Sequence, residues 1–122
     1  MKLGVSLAIM DESAADGKAY AAGLGLAEKV GFDSLWFFDS LGRGRFRPDP
    51  ISGMSAAAAL TSKIELGTCI LQVPLRHPIE LAHRIMSAYF LSGDRMLLGV
   101  GAGSTETDFK ALDIDFKGRF KM

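Results

Sequence analysis

Four short apolar stretches recur along the chain at intervals of about 30 residues, the size of one βα unit. They are Lys2–Ile9, Ser34–Asp39, Ile64–Val73 and Met96–Gly101. Each is apolar at odd and even positions and is bounded by turn residues, which is typical of strands covered on both faces of a parallel sheet. The pattern therefore predicts four parallel strands.

The segments between these strands have helical spacing. The first predicted helix runs from about Ala15 to Val30, with Ala19, Ala22, Leu26 and Val30 on its inner face and Gly31 at its end. Asp49–Pro50 and His77–Pro78 mark two further starts, because each pairs a capping residue with proline at the first helical position. These helices run toward Thr61 and Ser92–Gly93, and a short one follows from Glu106 to Leu112. Leu81, Ile85, Ala88 and Tyr89 are expected to face inward in the third helix.

Strands and helices alternate without a linker, so an α/β fold with a single domain over residues 1–122 is predicted. The longer loops follow the strands, at residues 10–15, 39–49, 69–78 and 101–106. In parallel α/β folds, ligands bind at the carboxyl ends of the strands. A ligand site is therefore expected among these loops.

A small doubly wound sheet is the alternative architecture. It draws support from Gly99, Gly101 and Gly103, which follow the fourth strand. The dinucleotide fingerprint G-x-G-x-x-G normally follows the first strand, so both the spacing and the place disagree with it. The glycines instead either let the backbone approach a planar ligand or turn the chain.

Composition narrows the function classes. Lys and Arg total 14, as do Asp and Glu, and this neutral balance disfavours a nucleic-acid surface. One cysteine and two histidines exclude a disulfide framework and give no convincing metal site. No apolar run reaches the ~18 residues of a membrane span. We expect a cytoplasmic protein, with the N-terminus forming a strand rather than a signal peptide.

Five motifs occur in a characteristic order. They are Gly31–Ser40 (GFDSLWFFDS), Asp49–Pro50, Lys63–Cys69 (KIELGTC), Pro74–Pro78 (PLRHP) and Leu91–Gly103 (LSGDRMLLGVGAG). In this combination the chain resembles the bacterial-luciferase-like oxidoreductases, which include flavin-dependent monooxygenases and coenzyme F420-dependent reductases and dehydrogenases. The resemblance implies half of a TIM (βα)8 barrel with four strands, since it covers only the N-terminal half of that fold.

The resemblance implies a catalytic role for Asp39 and Ser40 at the end of the second strand. Asp39 would orient a cofactor ring or position a proton. Many family members have histidine at the next position, and Ser40 cannot titrate near neutral pH. Alternatively, Asp39 only pairs with the arginines of the following loop, Arg43, Arg45 or Arg47.

Thr68, Cys69 and Ile70 end the third strand, and the resemblance implies that they contact the cofactor. Family members often have a bulge with a non-prolyl cis peptide here, against which the ring rests. We therefore predict a cis Cys69–Ile70 peptide. A small buried hydrophobic role for Cys69 is the other interpretation, and only the backbone is needed for the first.

Arg76 is a candidate for contact with a cofactor phosphate or carboxylate, because arginine binds such groups bidentately. Helix capping by His77 with a solvated or interface-paired Arg76 is the competing interpretation. The loop of Arg43, Arg45 and Arg47 raises the same question, since it either attracts an anionic tail or substrate or is simply solvated.

Gly101, Gly103 and Ser104 are the remaining candidates for cofactor binding. Small residues and hydroxyls before a helix could hold a cofactor oxygen. Thr105 with Asp108 also has the spacing of a capping box, so a purely structural role is equally open.

The resemblance implies an oxidoreductase that uses FMN or F420 and acts on a small-molecule substrate. Four strands leave two open edges, and open edges favour pairing with other chains. We therefore expect a homo-oligomer or a complementary half-barrel chain. The alternative is a non-catalytic truncated family member that acts as an assembly or binding module.

Overall fold

The computed structural model describes residues 1–7, 16–41, 43–44 and 46–121. The strands are β1 (Gly4–Val5), β2 (Ser34–Phe37), β3 (Glu65–Thr68), β4 (Leu71–Gln72), β5 (Met96–Leu97) and β6 (Val100–Gly101). The helices are α1 (Gly17–Lys29), α2 (Pro50–Leu60), α3 (Pro78–Ser92) and α4 (Glu106–Lys110), with a 3₁₀ turn at Val73–Leu75. Part of the predicted first strand and of the first helix, and the whole loop at residues 10–15, lie outside the described residues.

The strands form a parallel sheet in the order β1-β2-β3-β5, with a second parallel pair of β4 and β6. Leu66 of β3 lies between Leu35 of β2 and Met96 of β5. The predicted α/β fold of parallel βα units is therefore confirmed.

Two predicted strands are each divided in the middle. The third breaks at Cys69–Ile70 and the fourth at residues 98–99. The breaks face each other, because the carbonyl of Gly99 accepts hydrogen bonds from Leu71 N at 2.8 Å and from Thr68 Oγ1 at 2.7 Å. A Cβ on Gly99 would collide with the carbonyl oxygen of Thr68, so this crossing requires glycine.

Helix ends follow the sequence signals closely. The carboxylate of Asp49 accepts a hydrogen bond from Ser52 N at 2.9 Å, which confirms the predicted cap of α2. Gly31 (φ 94°) and Gly93 (φ 59°) adopt positive φ after α1 and α3, as helix-ending glycines do. The predicted side-chain cap by His77 is wrong, since its ring caps no backbone group that the structure describes.

The inner face of α1 differs from the predicted one. Leu24 and Ala27 are buried, whereas Leu26 and Val30 are 54% and 61% exposed. Helix α1 carries small apolar residues on most of its sides, so helical spacing alone does not indicate which side is buried. Tyr89 of α3 is also exposed, contrary to expectation.

Helix α2 packs between α1 and α3 and supplies much of the core. Its Ile51 and Met54 are buried together with Phe37 and Leu66 from the sheet. The central strands β2 and β3 are covered as predicted, but Leu97 and Val100 near the sheet edge are exposed. This arrangement fixes the carboxyl ends of β2, β4 and β6 beside one another.

Candidate functional site

A cavity of about 650 Å³ opens at the carboxyl ends of these strands. Its lining residues are Phe38, Asp39, Ser40, Arg43, Arg47, Cys69, Ile70, Gln72, Gly103 and Ser104. The structure thus brings six of the predicted site residues to one cavity, while Thr68, Arg76 and Gly101 do not line it. A volume of ~300–1,000 Å³ is typical of small-molecule and cofactor sites.

Asp39 is buried beneath this cavity in an ion pair with Arg76. The guanidinium donates to both carboxylate oxygens, at 2.6 and 2.9 Å, and Gln72 N donates to the same carboxylate at 2.8 Å. The alternative pairing of Asp39 with Arg43 or Arg47 is wrong, and Arg45 lies outside the described residues. Both oxygens accept hydrogen bonds within the fold, and these bonds hold the carboxylate in place.

Arg76 continues the network away from the cavity. Its side chain is 11% exposed, and it also donates to Asp49 at 3.2 Å, which accepts from Arg84 at 2.8 Å. Burial opposes the charge of Arg76, but the two carboxylates outweigh burial and raise its pKa. The expected solvated Arg76 is therefore wrong. Its partners here are internal carboxylates, and its predicted contact with a cofactor stays a prediction.

A second buried carboxylate, that of Asp108 in α4, is hydrogen-bonded to the loop after β2. It accepts three hydrogen bonds from Arg43, at 2.5–3.1 Å, and one from Leu41 N at 3.1 Å. Burial opposes ionisation, but hydrogen bonds from Arg43 and Gln72 outweigh it and lower the pKa of Asp108. The predicted capping box with Thr105 is wrong, because the carboxylate points toward this loop instead of the start of its helix.

Gln72 connects the two networks and was not singled out from the sequence. Its amide nitrogen donates to the carbonyl oxygen of Asp39 at 3.0 Å and to Asp108 Oδ2 at 2.9 Å. Both amide hydrogens are thereby used, and Oε1 is buried with no partner among the described residues. A glutamine within the otherwise apolar segment Cys69–Val73 was the available signal.

The Cys69–Ile70 peptide is cis, as predicted. Cys69 is exposed, so the interpretation as a buried hydrophobic residue is wrong. Ile70 is 41% exposed and contributes an apolar side chain to the cavity. Thr68 is 1% exposed and is used within the fold, through its bond to Gly99.

The glycine turn forms the opposite wall. Gly103 has φ 80°, and a Cβ there would collide with Gln72 Oε1 and come within 3.0 Å of Phe109. A Cβ on Gly101 would collide with Ile70. The glycines therefore permit close approach between chain segments, and Ser104 beside them adds a hydroxyl to the cavity.

None of the helices that the structure describes combines the length and apolar character that a bilayer crossing requires. Within the described ranges, no three His, Cys, Asp or Glu side chains lie close enough together to hold a metal ion.

Parallel βα units with a cavity at the carboxyl ends of their strands are typical of a segment of a TIM barrel, a fold whose ligand sites lie at that face. The family model for luciferase-like monooxygenase matches residues 4–122. The chain belongs to this family, as the sequence motifs indicated.

Three similar proteins illustrate the range of the family. A 4-hydroxyprotoasukamycin monooxygenase of Streptomyces nodosus subsp. asukaensis is 37% identical over 72% of this chain and 24% of its own length. An F420-dependent glucose-6-phosphate dehydrogenase of Beutenbergia cavernae is 38% identical over 66% of this chain and 25% of its own.

The third is a solved structure, the oxygenating constituent of 3,6-diketocamphane monooxygenase of Pseudomonas putida in complex with FMN. It has a TM-score of 0.84 at 20% identity and covers 99% of this chain and 37% of its own. This likeness shows the fold. The chain thus spans about a quarter of the length of the curated relatives that it matches.

Proposed function

We propose that this chain forms the N-terminal part of the cofactor site of an oxidoreductase that uses FMN or F420. The observation that carries the proposal is the cavity at the carboxyl ends of β2, β4 and β6. Family membership supports it, because the relatives include an F420-dependent dehydrogenase and an FMN-bound monooxygenase.

The residues around the cavity fit a flat ring that carries hydrogen-bonding edges. Phe38 and Ile70 supply partly exposed apolar surface, and Ser40 and Ser104 supply hydroxyls. Gly103 leaves the opposite wall free of a side chain. When bound, FMN or F420 would supply the redox chemistry, and these residues would hold and orient the ring.

Asp39 takes a positioning role in this proposal. Because Arg76 and Gln72 N occupy both of its oxygens, the carboxylate fixes the end of β2 against β4. Ser40, the next residue, then faces the cavity as a neutral hydrogen-bonding group. Neither residue is arranged as a proton-transfer base at neutral pH.

We further propose that additional βα units complete the site, in a homo-oligomer or with a complementary chain. The sheet supports this, since β1 and β5 lie at its two edges and edge strands offer unpaired backbone groups. Sedimentation as a fully folded monomer would contradict this part of the proposal.

The experiment is a titration of the purified chain with FMN and, separately, with F420, followed by cofactor fluorescence. We expect saturable binding of one of them. Gly103→Ala should weaken it about tenfold or more, a loss of at least ~1.4 kcal/mol, because the added methyl would collide with Gln72 Oε1 and Phe109 and so displace the cavity wall. Gly93→Ala is the matched control, since Gly93 also has positive φ but a Cβ there meets no atom within 4 Å. A folded chain that binds neither cofactor would favour the non-catalytic assembly or binding module.

A further inference from the structure

Among the described residues that line the cavity, one charged side chain has no ion-pair partner. Asp39 is paired with Arg76, and Arg43 with Asp108. Arg47 also lines the cavity, but no carboxylate lies within ion-pair distance of it among the residues that the structure describes. The described part of the cavity therefore carries one uncompensated positive charge.

Arg47 contacts an aromatic ring and has no counter-ion among the described residues. Its guanidinium carbon lies 5.1 Å from the centroid of the Phe38 ring, and its side chain is partly buried. Stacking on an aromatic face orients a guanidinium while leaving its N–H edges free. Such an edge matches the paired oxygens of a carboxylate or phosphate.

The other arginines that the structure describes near the cavity already hold carboxylates of the fold. Arg43 uses Nε and Nη2 in its bonds to Asp108. Arg76 is 11% exposed, and Asp39 and Asp49 occupy its guanidinium. Arg45 lies outside the described residues. Among the described cations that line the cavity, Arg47 is therefore the best placed to bind an anion.

We propose that Arg47 binds an oxyanion of a ligand whose apolar or aromatic body lies against Phe38 and Ile70. This inference rests on the proposed function and narrows its ligand to a small anionic molecule. The oxyanion is either a carboxylate of the substrate or the phosphate of the cofactor. Both present the same chemistry to the guanidinium, and they can be separated experimentally.

The test compares FMN with riboflavin, which has the same ring without the phosphate, and adds benzoate as a carboxylate probe with an aromatic body. Binding of each is measured to the unmodified chain, to Arg47→Gln and to Arg47→Lys. Lys29→Gln is the control, because it removes one exposed charge far from the cavity. Trp36 fluorescence reports whether each variant is folded.

If the phosphate is the anion, Arg47→Gln weakens FMN about tenfold and leaves riboflavin unchanged. If a substrate carboxylate is the anion, FMN and riboflavin are unaffected and benzoate is weakened by a similar factor. Arg47→Lys should give an intermediate loss in either case, since it keeps the charge but not the planar edge.

Equal affinities of Arg47→Gln and the unmodified chain for all three probes would overturn the inference, as would the failure of FMN and benzoate to bind the unmodified chain. Ring binding that is independent of Arg47 would leave the proposed function standing. Conversely, benzoate binding that depends on Arg47, without binding of FMN, riboflavin or F420, would support the anion site and contradict the oxidoreductase proposal.

Discussion

Removal of the Arg76 guanidinium is the most direct test of how the strand ends are held together. Arg76→Met keeps most of the apolar stem but leaves Asp39 without its cation. The carboxylate of Asp39 is 2% exposed, so water cannot replace the two lost hydrogen bonds without structural change. Asp49 is affected less, because it retains Arg84 at 2.8 Å.

The expected loss in the free energy of unfolding is about 3 kcal/mol, the lower end of the range for breaking a buried ion pair. We choose the lower end because Arg76 is 11% exposed and Asp49 stays paired. A domain of this size has a total stability of only ~5–15 kcal/mol. With urea dependences of ~1–3 kcal/mol per molar, the unfolding midpoint should fall by about 1–3 M.

The assay is urea unfolding followed by fluorescence of Trp36, the one tryptophan of the chain. Lys2→Met is the matched control, because it breaks the exposed pair with Glu65 and should barely move the midpoint. The double variant Arg76→Met with Asp39→Asn removes both charges and should recover about 1 kcal/mol or more over the sum of the single losses. A loss in Arg76→Met no larger than in Lys2→Met would refute the reasoning.

Three further predictions concern stability. Phe109→Ala should cost about 3–5 kcal/mol in urea unfolding, since its ring is fully buried; a loss below 1 kcal/mol would contradict this. Gly99→Ala should cost about 1–3 kcal/mol by overpacking against the Thr68 carbonyl, whereas Gly17→Ala, with open space around it, should not. Hydrogen bonds from three backbone N–H groups, Ile64 N foremost, lower the pKa of Glu28. The ionised Glu28 side chain therefore stabilises the fold above its unfolded pKa of ~4.3, and this stabilisation is lost as the pH falls through the folded pKa. Unfolding at stepped pH should therefore show a smaller acid loss in Glu28→Gln than in the unmodified chain, and parallel curves would sink the idea.

Local signals predicted the helix boundaries because they act within a few residues. Asp49 caps α2 through Ser52, three residues away, and Gly93 ends α3 through its own positive φ. The strand breaks were not predicted as such, apart from the expected irregularity at Cys69–Ile70. At the breaks, Thr68 bonds the carbonyl of Gly99, which is 31 residues away in the sequence, and such a contact leaves no local pattern.

For the candidate site, too, the sequence predicted one part of the arrangement and missed another. Position at the ends of strands predicted that Asp39, Ser40 and Ser104 lie together, because parallel strands bring their carboxyl ends to one edge. It did not predict their partners. The spacing left a local capping box of Thr105 with Asp108 open, but the carboxylate of Asp108 instead bonds Arg43, 65 residues away in the sequence.

By itself, the sequence determined the succession of parallel βα units, most helix ends, the family and the edge of the sheet where the cavity lies. These depend on periodicity, on capping chemistry and on motifs read in order. Only the tertiary structure decided which charges cancel, because a buried ion pair such as Asp39–Arg76 depends on distances in space and on the exclusion of water. It also separated Arg47 from Arg43, which the sequence presented as an equivalent neighbour on the same loop.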